Sequence, residues 1–194
     1  MTKLIGFNKI KTAIFISGTG SNCRNLIKFS KLKNSPISVH LILSNNPEAK
    51  GLVFANKFKI KKKIFKFKKQ RKDEKEILKY LEKNQISLIC LAGFMKILSK
   101  NFIKEFKGKI LNVHPSLLPK YKGLNTHMRA INSKEKFSGC TIHFVNSNLD
   151  SGKIILQKKV KINKNDTPKV LAKRILKQEH ILYPKAIIKL YANL

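Results

Sequence analysis

The stretch LNVHPSLLPKYKG, residues 111–123, decides the fold and contains the first candidate site residues. The residues before it are mostly apolar and compatible with a β-strand, and Pro115 then stops further ladder pairing. Asn112 and His114 are two residues apart, so their side chains project from the same face of that strand. A hydrogen-bonding amide and a titratable imidazole therefore share the carboxyl end of a strand, where open α/β sheets bind their ligands.

Asp150 is a candidate partner for this imidazole. Taken alone, a histidine beside a proline is more often a surface or core residue than a catalyst. Asp150, however, lies in a turn-rich loop between two β-like runs, Thr141–Val145 and Ile154–Val160. A loop carboxylate can hold an imidazole and favour its charged form. Spacing alone leaves the pairing of Asp150 with His114 open.

Strand-like and helix-like runs alternate along the chain, which favours an α/β fold with a mostly parallel, twisted sheet flanked by helices. The other predicted strands are Thr12–Ser17, Ile37–Ser44, Lys62–Phe67, Ile86–Ala92 and Ile110–Val113. The predicted helices are Asn22–Lys33, Gly51–Phe58, Asp73–Asn84, a short helix capped by Ser99, Thr126–Asn132, and a final helix that Pro168 opens. No repeat or linker interrupts this order. We expect residues 1–194 to form a single Rossmann-like domain with an antiparallel C-terminal strand.

A net charge of +32 ordinarily indicates a nucleic-acid or anionic partner. Only four of the 42 basic residues are arginines, however, and the lysines are spread through every segment. Nucleic-acid sites favour the guanidinium fork, so biased composition explains the charge better than binding does. We expect no specific nucleic-acid partner. The block Lys57–Lys72 alternates lysine with Ile and Phe, which predicts an edge strand with one buried face.

The three cysteines, Cys23, Cys90 and Cys140, are widely spaced and show no metal-ligand pattern. We therefore expect neither a metal site nor structural disulfides. The longest apolar run, Ile86–Leu98, is too short to span a membrane and contains Lys96. The N-terminal residues hold no apolar block of signal-peptide length, which is typical of a cytoplasmic protein.

A second candidate site is Ser17-Gly18-Thr19-Gly20-Ser21-Asn22, which follows the first predicted strand. Glycines there let the backbone approach an anion, and we expect Ser21 or Asn22 to cap the next helix, whose N-terminal amides attract phosphate. Two glycines alone are a weak signal, and a tight turn that binds no ligand remains an alternative interpretation. If a ligand binds, one phosphate monoester fits better than a dinucleotide.

Taken together, these motifs resemble the phosphoribosylglycinamide formyltransferases, the folate-dependent enzymes of purine biosynthesis. The resemblance covers essentially the whole chain. It rests on ISGTGSN (16–22), LAGFMKILS (91–99), LNVHPSLLPKYKG (111–123), THMRA (126–130), TIHFV (141–145), LDSGKIILQ (149–157) and QEHILYP (178–184). It implies that the amine of glycinamide ribonucleotide takes the formyl group of 10-formyltetrahydrofolate, a co-substrate, with no metal.

The resemblance also implies roles for individual residues. Asn112 matches an oxyanion donor, His114 the catalytic histidine, and Asp150 the carboxylate that favours the charged imidazole. His143 also matches a recurrent position, and we expect it to be structural rather than directly catalytic. Positions matching contacts to the ribonucleotide are Gly20, Ser21, Asn22 and Glu179. Positions matching contacts to the folate are Arg71, Met95, Lys96, Ile97, Leu98 and Asn112.

Two other enzyme classes share part of this pattern: another 10-formyltetrahydrofolate-dependent formyltransferase, such as one acting on methionyl-tRNA, and a hydrolase of the same fold. The first class carries an additional C-terminal nucleic-acid-binding domain and the second an N-terminal regulatory domain, and we expect neither here. A lysine-rich nucleic-acid-binding module on the same fold is a third alternative. We expect small-molecule substrates and a monomer or weak homodimer.

Overall fold

The computed structural model describes residues 9–191, which fold around one seven-stranded sheet. The strands are β1 (Ile10–Ile16), β2 (Ile37–Ser44), β3 (Lys61–Ile64), β4 (Leu88–Leu91), β5 (Lys109–His114), β6 (Phe137–Phe144) and β7 (Ile154–Lys161). Their spatial order is β3-β2-β1-β4-β5-β6-β7. Strands β1 to β5 are parallel, whereas β6 is antiparallel to both β5 and β7. The prediction of a mostly parallel sheet with antiparallel pairing at its C-terminal end is confirmed.

Helices cover both faces of the sheet. They are α1 (Ser21–Ser30), α2 (Val53–Phe58), α3 (Gln70–Lys83), α4 (Lys100–Glu105), α5 (Thr126–Asn132) and α6 (Pro168–Tyr191), with a 3-10 turn at Lys50–Leu52. Alternate residues of β1 serve the two faces, as the strand period of two requires. Ile14 and Ile16 pack into the core shared with α1 and α6, and Ala13 and Phe15 into the core shared with α3 and α4.

The sheet has a topological switch point between β1 and β4. The chain runs outward from β1 through β2 to β3, then crosses back to pair β4 with the other side of β1. The segments that follow β1 and β4 therefore leave the same edge of the sheet in opposite directions, which opens a crevice between them. The two segments touch there, because the Met95 N–H donates to Ser17 Oγ at 2.7 Å.

The predicted edge strand Lys62–Phe67 lies at the edge of the sheet, but the strand ends at Ile64, and the expected burial appears only beyond it, at half-buried Phe65 and buried Phe67. All four residues of β3 are exposed. The apolar side chain that is buried comes after the strand, where Phe67 adopts a left-handed φ of 54° and packs edge-on against Phe94 at 5.6 Å between ring centroids. The turn beyond the strand, and not the strand's own alternation, brings a phenylalanine inside.

Two helix starts also differ from the sequence interpretation. Gly20 is the residue before α1 and adopts a left-handed φ of 72°, and no side chain caps the helix, so the expected capping by Ser21 or Asn22 is wrong. Helix α3 begins at Gln70, three residues before the predicted start. The cap at Ser99 is confirmed, because its Oγ accepts from the Phe102 N–H at 3.1 Å.

The three cysteines are all buried and free. Burial raises the pKa of each thiol to about 12, so Cys23, Cys90 and Cys140 remain protonated near neutral pH and behave as small apolar side chains. Among the helices of residues 9–191, none combines the length and the apolar character that crossing a membrane requires.

Candidate active site

His114 and Asp150 meet at the end of β5. Asp150 lies in the loop between β6 and β7, and its Oδ2 stands 3.3 Å from His114 Nδ1, with both side chains less than a tenth exposed. The other ring nitrogen, Nε2, lies 2.9 Å from the Tyr121 carbonyl oxygen. Both ring nitrogens of His114 therefore face oxygen acceptors, an arrangement that suits the doubly protonated imidazolium. The structure places His114 and Asp150 in contact, whereas their spacing in the sequence alone leaves this pairing open.

Asn112 shares this cluster with His143, its cross-strand neighbour on β6. His143 Nδ1 donates to the Phe144 carbonyl oxygen at 2.7 Å, so its Nε2 accepts from Asn112 Nδ2 at 3.3 Å. Burial lowers the pKa of His143, which keeps this ring neutral and able to accept. His143 thus orients the Asn112 amide.

The Asn112 amide is held only loosely. Its Nδ2 also donates to Asp150 Oδ1, at 3.4 Å. Both of its contacts exceed the usual N–H···O distance of about 2.9–3.0 Å. A loosely held donor at the end of a strand can turn a proton towards an incoming oxygen.

Asp150 joins three segments of the chain. Besides the contacts to β5, its Oδ2 accepts from the Gly123 N–H at 2.9 Å. The loop that carries Asp150 lies directly on β6, since a Cβ added to Gly152 would stand 1.7 Å from the Phe144 carbonyl oxygen. Asp150 itself has a left-handed φ of 45°. Close packing and side-chain contacts together fix the position of this carboxylate.

The loop after β1 packs tightly against the 3-10 turn. A Cβ added to Gly20 would lie 2.6 Å from the Gly51 Cα, and the Gly51 N–H donates to the Gly18 carbonyl oxygen at 2.9 Å. The free N–H groups at the start of α1 follow this turn and present an anion-binding end. Ser21 occupies the first helical position, where the sequence places a phosphate contact.

Asn22 and Glu179 are in direct contact, although the sequence separates them widely. Asn22 Nδ2 donates to Glu179 Oε2 at 2.6 Å, and both residues are buried. The Asn22 Oδ1 atom is buried and has no hydrogen-bond partner among the described residues. Burial raises the pKa of Glu179 above its ordinary value. The contact therefore connects the start of α1 to α6, as expected if both residues serve one ligand.

Glu179→Gln should make stability less sensitive to pH. The raised pKa of Glu179 means that the folded protein favours the protonated carboxyl. This stabilisation of the fold is complete below the ordinary pKa of 4.5, and it is lost as pH rises through the raised pKa. Glutamine keeps an oxygen for Asn22 but cannot ionise. We expect the free energy of unfolding of the variant to increase relative to that of the wild type as the pH is raised above 4.5. Urea denaturation from pH 4 to 8 would measure this difference. A difference that is constant over this range would contradict the expectation.

The candidate folate residues form a partly exposed segment after β4. Met95 and Ile97 are each about two-thirds exposed, Lys96 is exposed and Leu98 is buried. Arg71 forms no hydrogen bond or ion pair with this segment among the described residues. It lies in the first turn of α3 and lines an open basic cavity of about 630 Å³ on the surface of that helix, together with Lys69, Gln70, Lys72, Lys75, Glu76 and Lys79.

Two polar residues contact this segment: Glu74 is missing from the sequence interpretation, and Ser17 appears there only as the first residue of the candidate phosphate loop. Ser17 Oγ accepts from Met95, and buried Glu74 accepts from Ser99. Glu74 had a detectable signal, because it lies on the same helical face as Ile77 and Leu81, where a carboxylate is unusual. Ser17 had none beyond its place before the glycines.

No group of three histidine, cysteine, aspartate or glutamate side chains within residues 9–191 has the arrangement of a metal site. The cluster offers two imidazoles, one amide and one carboxylate at the end of a strand, beside the loop after β1. These are the groups that stabilise a developing oxyanion and move a proton.

Comparison with known proteins gives a consistent result. The model of the formyl transferase family matches residues 10–187. The phosphoribosylglycinamide formyltransferase of Haemophilus influenzae is 41% identical over 180 residues, covering 91% of this chain and 85% of that protein. The trifunctional purine biosynthetic protein adenosine-3 of Gallus gallus is 39% identical over 183 residues, covering 93% of this chain, but the chain spans only 18% of its length.

The fold is shared as well. The crystal structure of phosphoribosylglycinamide formyltransferase from Brucella melitensis superposes with a TM-score of 0.89 at 39% identity, covering 96% of this chain and 97% of that one. Sequence and fold agree, and the chain belongs to the formyl transferase family.

Proposed function

We propose that this protein transfers the formyl group of 10-formyltetrahydrofolate to the amine of glycinamide ribonucleotide, giving N-formylglycinamide ribonucleotide and tetrahydrofolate. One observation carries the proposal. Asn112, His114 and Asp150 converge in a single buried cluster at the end of β5, on a chain whose relatives are named for this reaction. The two substrates are small molecules, and the formyl donor is a co-substrate.

The reaction needs an oxyanion site and a proton path, and the cluster supplies both. The substrate amine attacks the formyl carbon, so the formyl oxygen becomes an oxyanion that accepts from Asn112 Nδ2 and His114 Nε2. His114 Nε2 leaves the Tyr121 carbonyl oxygen to make this bond. The bond from carbon to the folate nitrogen then breaks, and the proton lost by the amine ends on that nitrogen. Asp150 stabilises the imidazolium throughout.

The acceptor and the donor bind on either side of the switch-point crevice. Gly20, Ser21 and Asn22 hold the ribonucleotide phosphate at the start of α1, and Glu179 contacts the same substrate. Residues 95–98 and Arg71 hold the folate, with Asn112 between the two substrates. The Met95 to Ser17 hydrogen bond supports this division, because it places the two loops side by side.

Gly20→Ala should raise the KM for the ribonucleotide roughly tenfold to a hundredfold, an ordinary cost of displacing a binding group. The added methyl would meet the Gly51 backbone at a left-handed φ, so the loop must move. Gly18→Ala is the matched control, because nothing lies within 4 Å of its added Cβ. Steady-state kinetics with each substrate varied would measure the effect, and an equal rise for the folate would reassign the loop.

Inorganic phosphate provides a second measurement of the same loop. It should inhibit competitively against the ribonucleotide and not against the folate, because it occupies only the anion site. Competition against the folate alone would place the phosphate elsewhere.

The acceptor identifies the reaction and separates it from the alternatives. Formation of tetrahydrofolate would be followed by absorbance with glycinamide ribonucleotide, with methionyl-tRNA, or with no acceptor. We expect turnover only with the ribonucleotide. Turnover with the tRNA would make the protein another formyltransferase of this fold, and formate release without an acceptor would make it a hydrolase. Action as a monomer or weak homodimer of one domain in the cytoplasm, without a specific nucleic-acid partner, stays a prediction.

A further inference from the structure

Glu74 is a buried carboxylate on α3 whose hydrogen bonds all come from neutral donors. Its Oε1 accepts from the Ser99 N–H at 2.8 Å and from Gln70 Nε2 at 3.0 Å, and its Oε2 accepts from the Ser99 hydroxyl. The residue is only 4% exposed. Among the described residues no lysine or arginine forms an ion pair with it, in a chain that has 42 of them. A charge taken out of water without a counterion needs such hydrogen bonds to be tolerated.

The partners of Glu74 belong to the segment after β4. Ser99 follows the exposed residues 95–97 and the buried Leu98, and it caps α4 through its Oγ. Gln70, one helical turn before Glu74, reaches the same segment, because its Nε2 also donates to the Ile97 carbonyl oxygen at 2.9 Å. Two side chains of α3 therefore fix the backbone of this segment at residues 97 and 99.

The same two side chains connect the separate parts of the folate site. Arg71 lies between Gln70 and Glu74 in the first turns of α3, and Met95 and Ile97 present exposed apolar surface on the neighbouring segment. Among the described residues, no hydrogen bond or ion pair joins Arg71 to that surface. The hydrogen bonds of Gln70 and Glu74, together with the packing of Leu98 in the core shared with α3, hold the helix and the segment at a fixed separation.

We propose that Glu74 is a positioning residue for the formyl donor: its carboxylate, together with Gln70, holds residues 97–99 against α3 so that the segment and Arg71 present one surface to the folate. The inference rests on the proposed function and assigns Glu74 no contact with substrate. Its effect should fall on the donor and spare the acceptor, because in residues 9–191 no hydrogen bond joins Glu74 to the loop after β1.

Glu74→Gln tests the carboxylate with little change in shape. The amide keeps one acceptor oxygen, but its nitrogen cannot accept the Ser99 hydroxyl proton, so one charge-assisted hydrogen bond is lost. We expect the KM for 10-formyltetrahydrofolate and the Kd for tetrahydrofolate to rise about tenfold, a typical cost of such a bond. The KM for glycinamide ribonucleotide and kcat should stay within about twofold. Glu74→Ala should raise the donor values further.

Glu105→Gln is the matched control. It makes the same chemical change on an exposed residue of α4 that has no hydrogen bond or ion pair in the described part of the chain, and all constants should be unchanged. Circular dichroism and the Tm would establish that the Glu74→Gln protein is folded. An equal rise in both KM values, or an unchanged donor Kd, would overturn the inference while leaving the proposed function intact. Failure of the wild type to bind tetrahydrofolate, measured by calorimetry, would overturn both.

Discussion

Replacing His114 or Asn112 by alanine should lower kcat for formyl transfer by about a hundredfold or more, the usual cost of losing one oxyanion donor or acid–base group. His114 ends β5 with both ring nitrogens facing oxygens, and Asn112 presents a loosely held amide two residues earlier. Each variant removes a donor that the transition state needs more than the bound substrate does. The loss should therefore appear in kcat more than in either KM.

Single-turnover kinetics would separate this effect from slower product release. His40→Ala is a suitable control, because His40 is exposed on β2, and its variant should keep wild-type kcat. The double variant should cost less than the sum of the two single losses, because both groups act on one oxygen. Near-normal turnover in either single variant would place the reaction at another site.

Asp150→Asn should lower kcat/KM roughly tenfold to a hundredfold, which corresponds to one hydrogen bond to a charged group. Asparagine is the cleanest substitution, because both residues tolerate the left-handed φ of 45° found here. It can keep an oxygen towards the Gly123 N–H, but it supplies no charge to the His114 imidazolium. The fold should be retained and the activity lowered by this factor.

The pH profile of the Asp150→Asn enzyme gives the decisive comparison. Losing the carboxylate removes the group that stabilises a charged imidazole, so the pH range of activity should change shape as well as height. Asp150→Glu keeps the charge on a longer side chain, and this variant should retain more activity than Asp150→Asn. An unchanged profile with full activity in Asp150→Asn would separate Asp150 from the proposed chemistry.

Local sequence rules suffice for the parts of the site that depend on one strand or one loop. The period of two in a strand places Asn112 and His114 on one face, and proline ends the strand directly after them. The contact with Asp150 depends on β6 pairing antiparallel with β5, which returns the chain to the same edge of the sheet. Spacing does not encode that pairing, so the resemblance carried the assignment.

Other differences between the sequence interpretation and the structure also arise from contacts between residues that are distant in the sequence. The four side chains of β3 are all exposed, and the phenylalanines that alternate with lysine become buried only beyond the strand, where Phe67 packs against Phe94. Gly20 replaces a side-chain cap because the backbone passes too close to Gly51 for any Cβ. Each outcome depends on a neighbour that is distant in sequence.

Buried carboxylates in this lysine-rich chain accept hydrogen bonds that no lysine side chain could accept. Only ten residues are acidic, yet the Asp150 and Glu74 carboxylates lie buried and accept from backbone N–H groups of Gly123 and Ser99. The nearly buried Asp166 carboxylate does the same for the Asn163 N–H. An ammonium group has three donors and no acceptor, so a lysine cannot take over this work. The carboxylates of Asp150, Glu74 and Asp166 therefore satisfy backbone amides that would lose their acceptor if these residues became lysine.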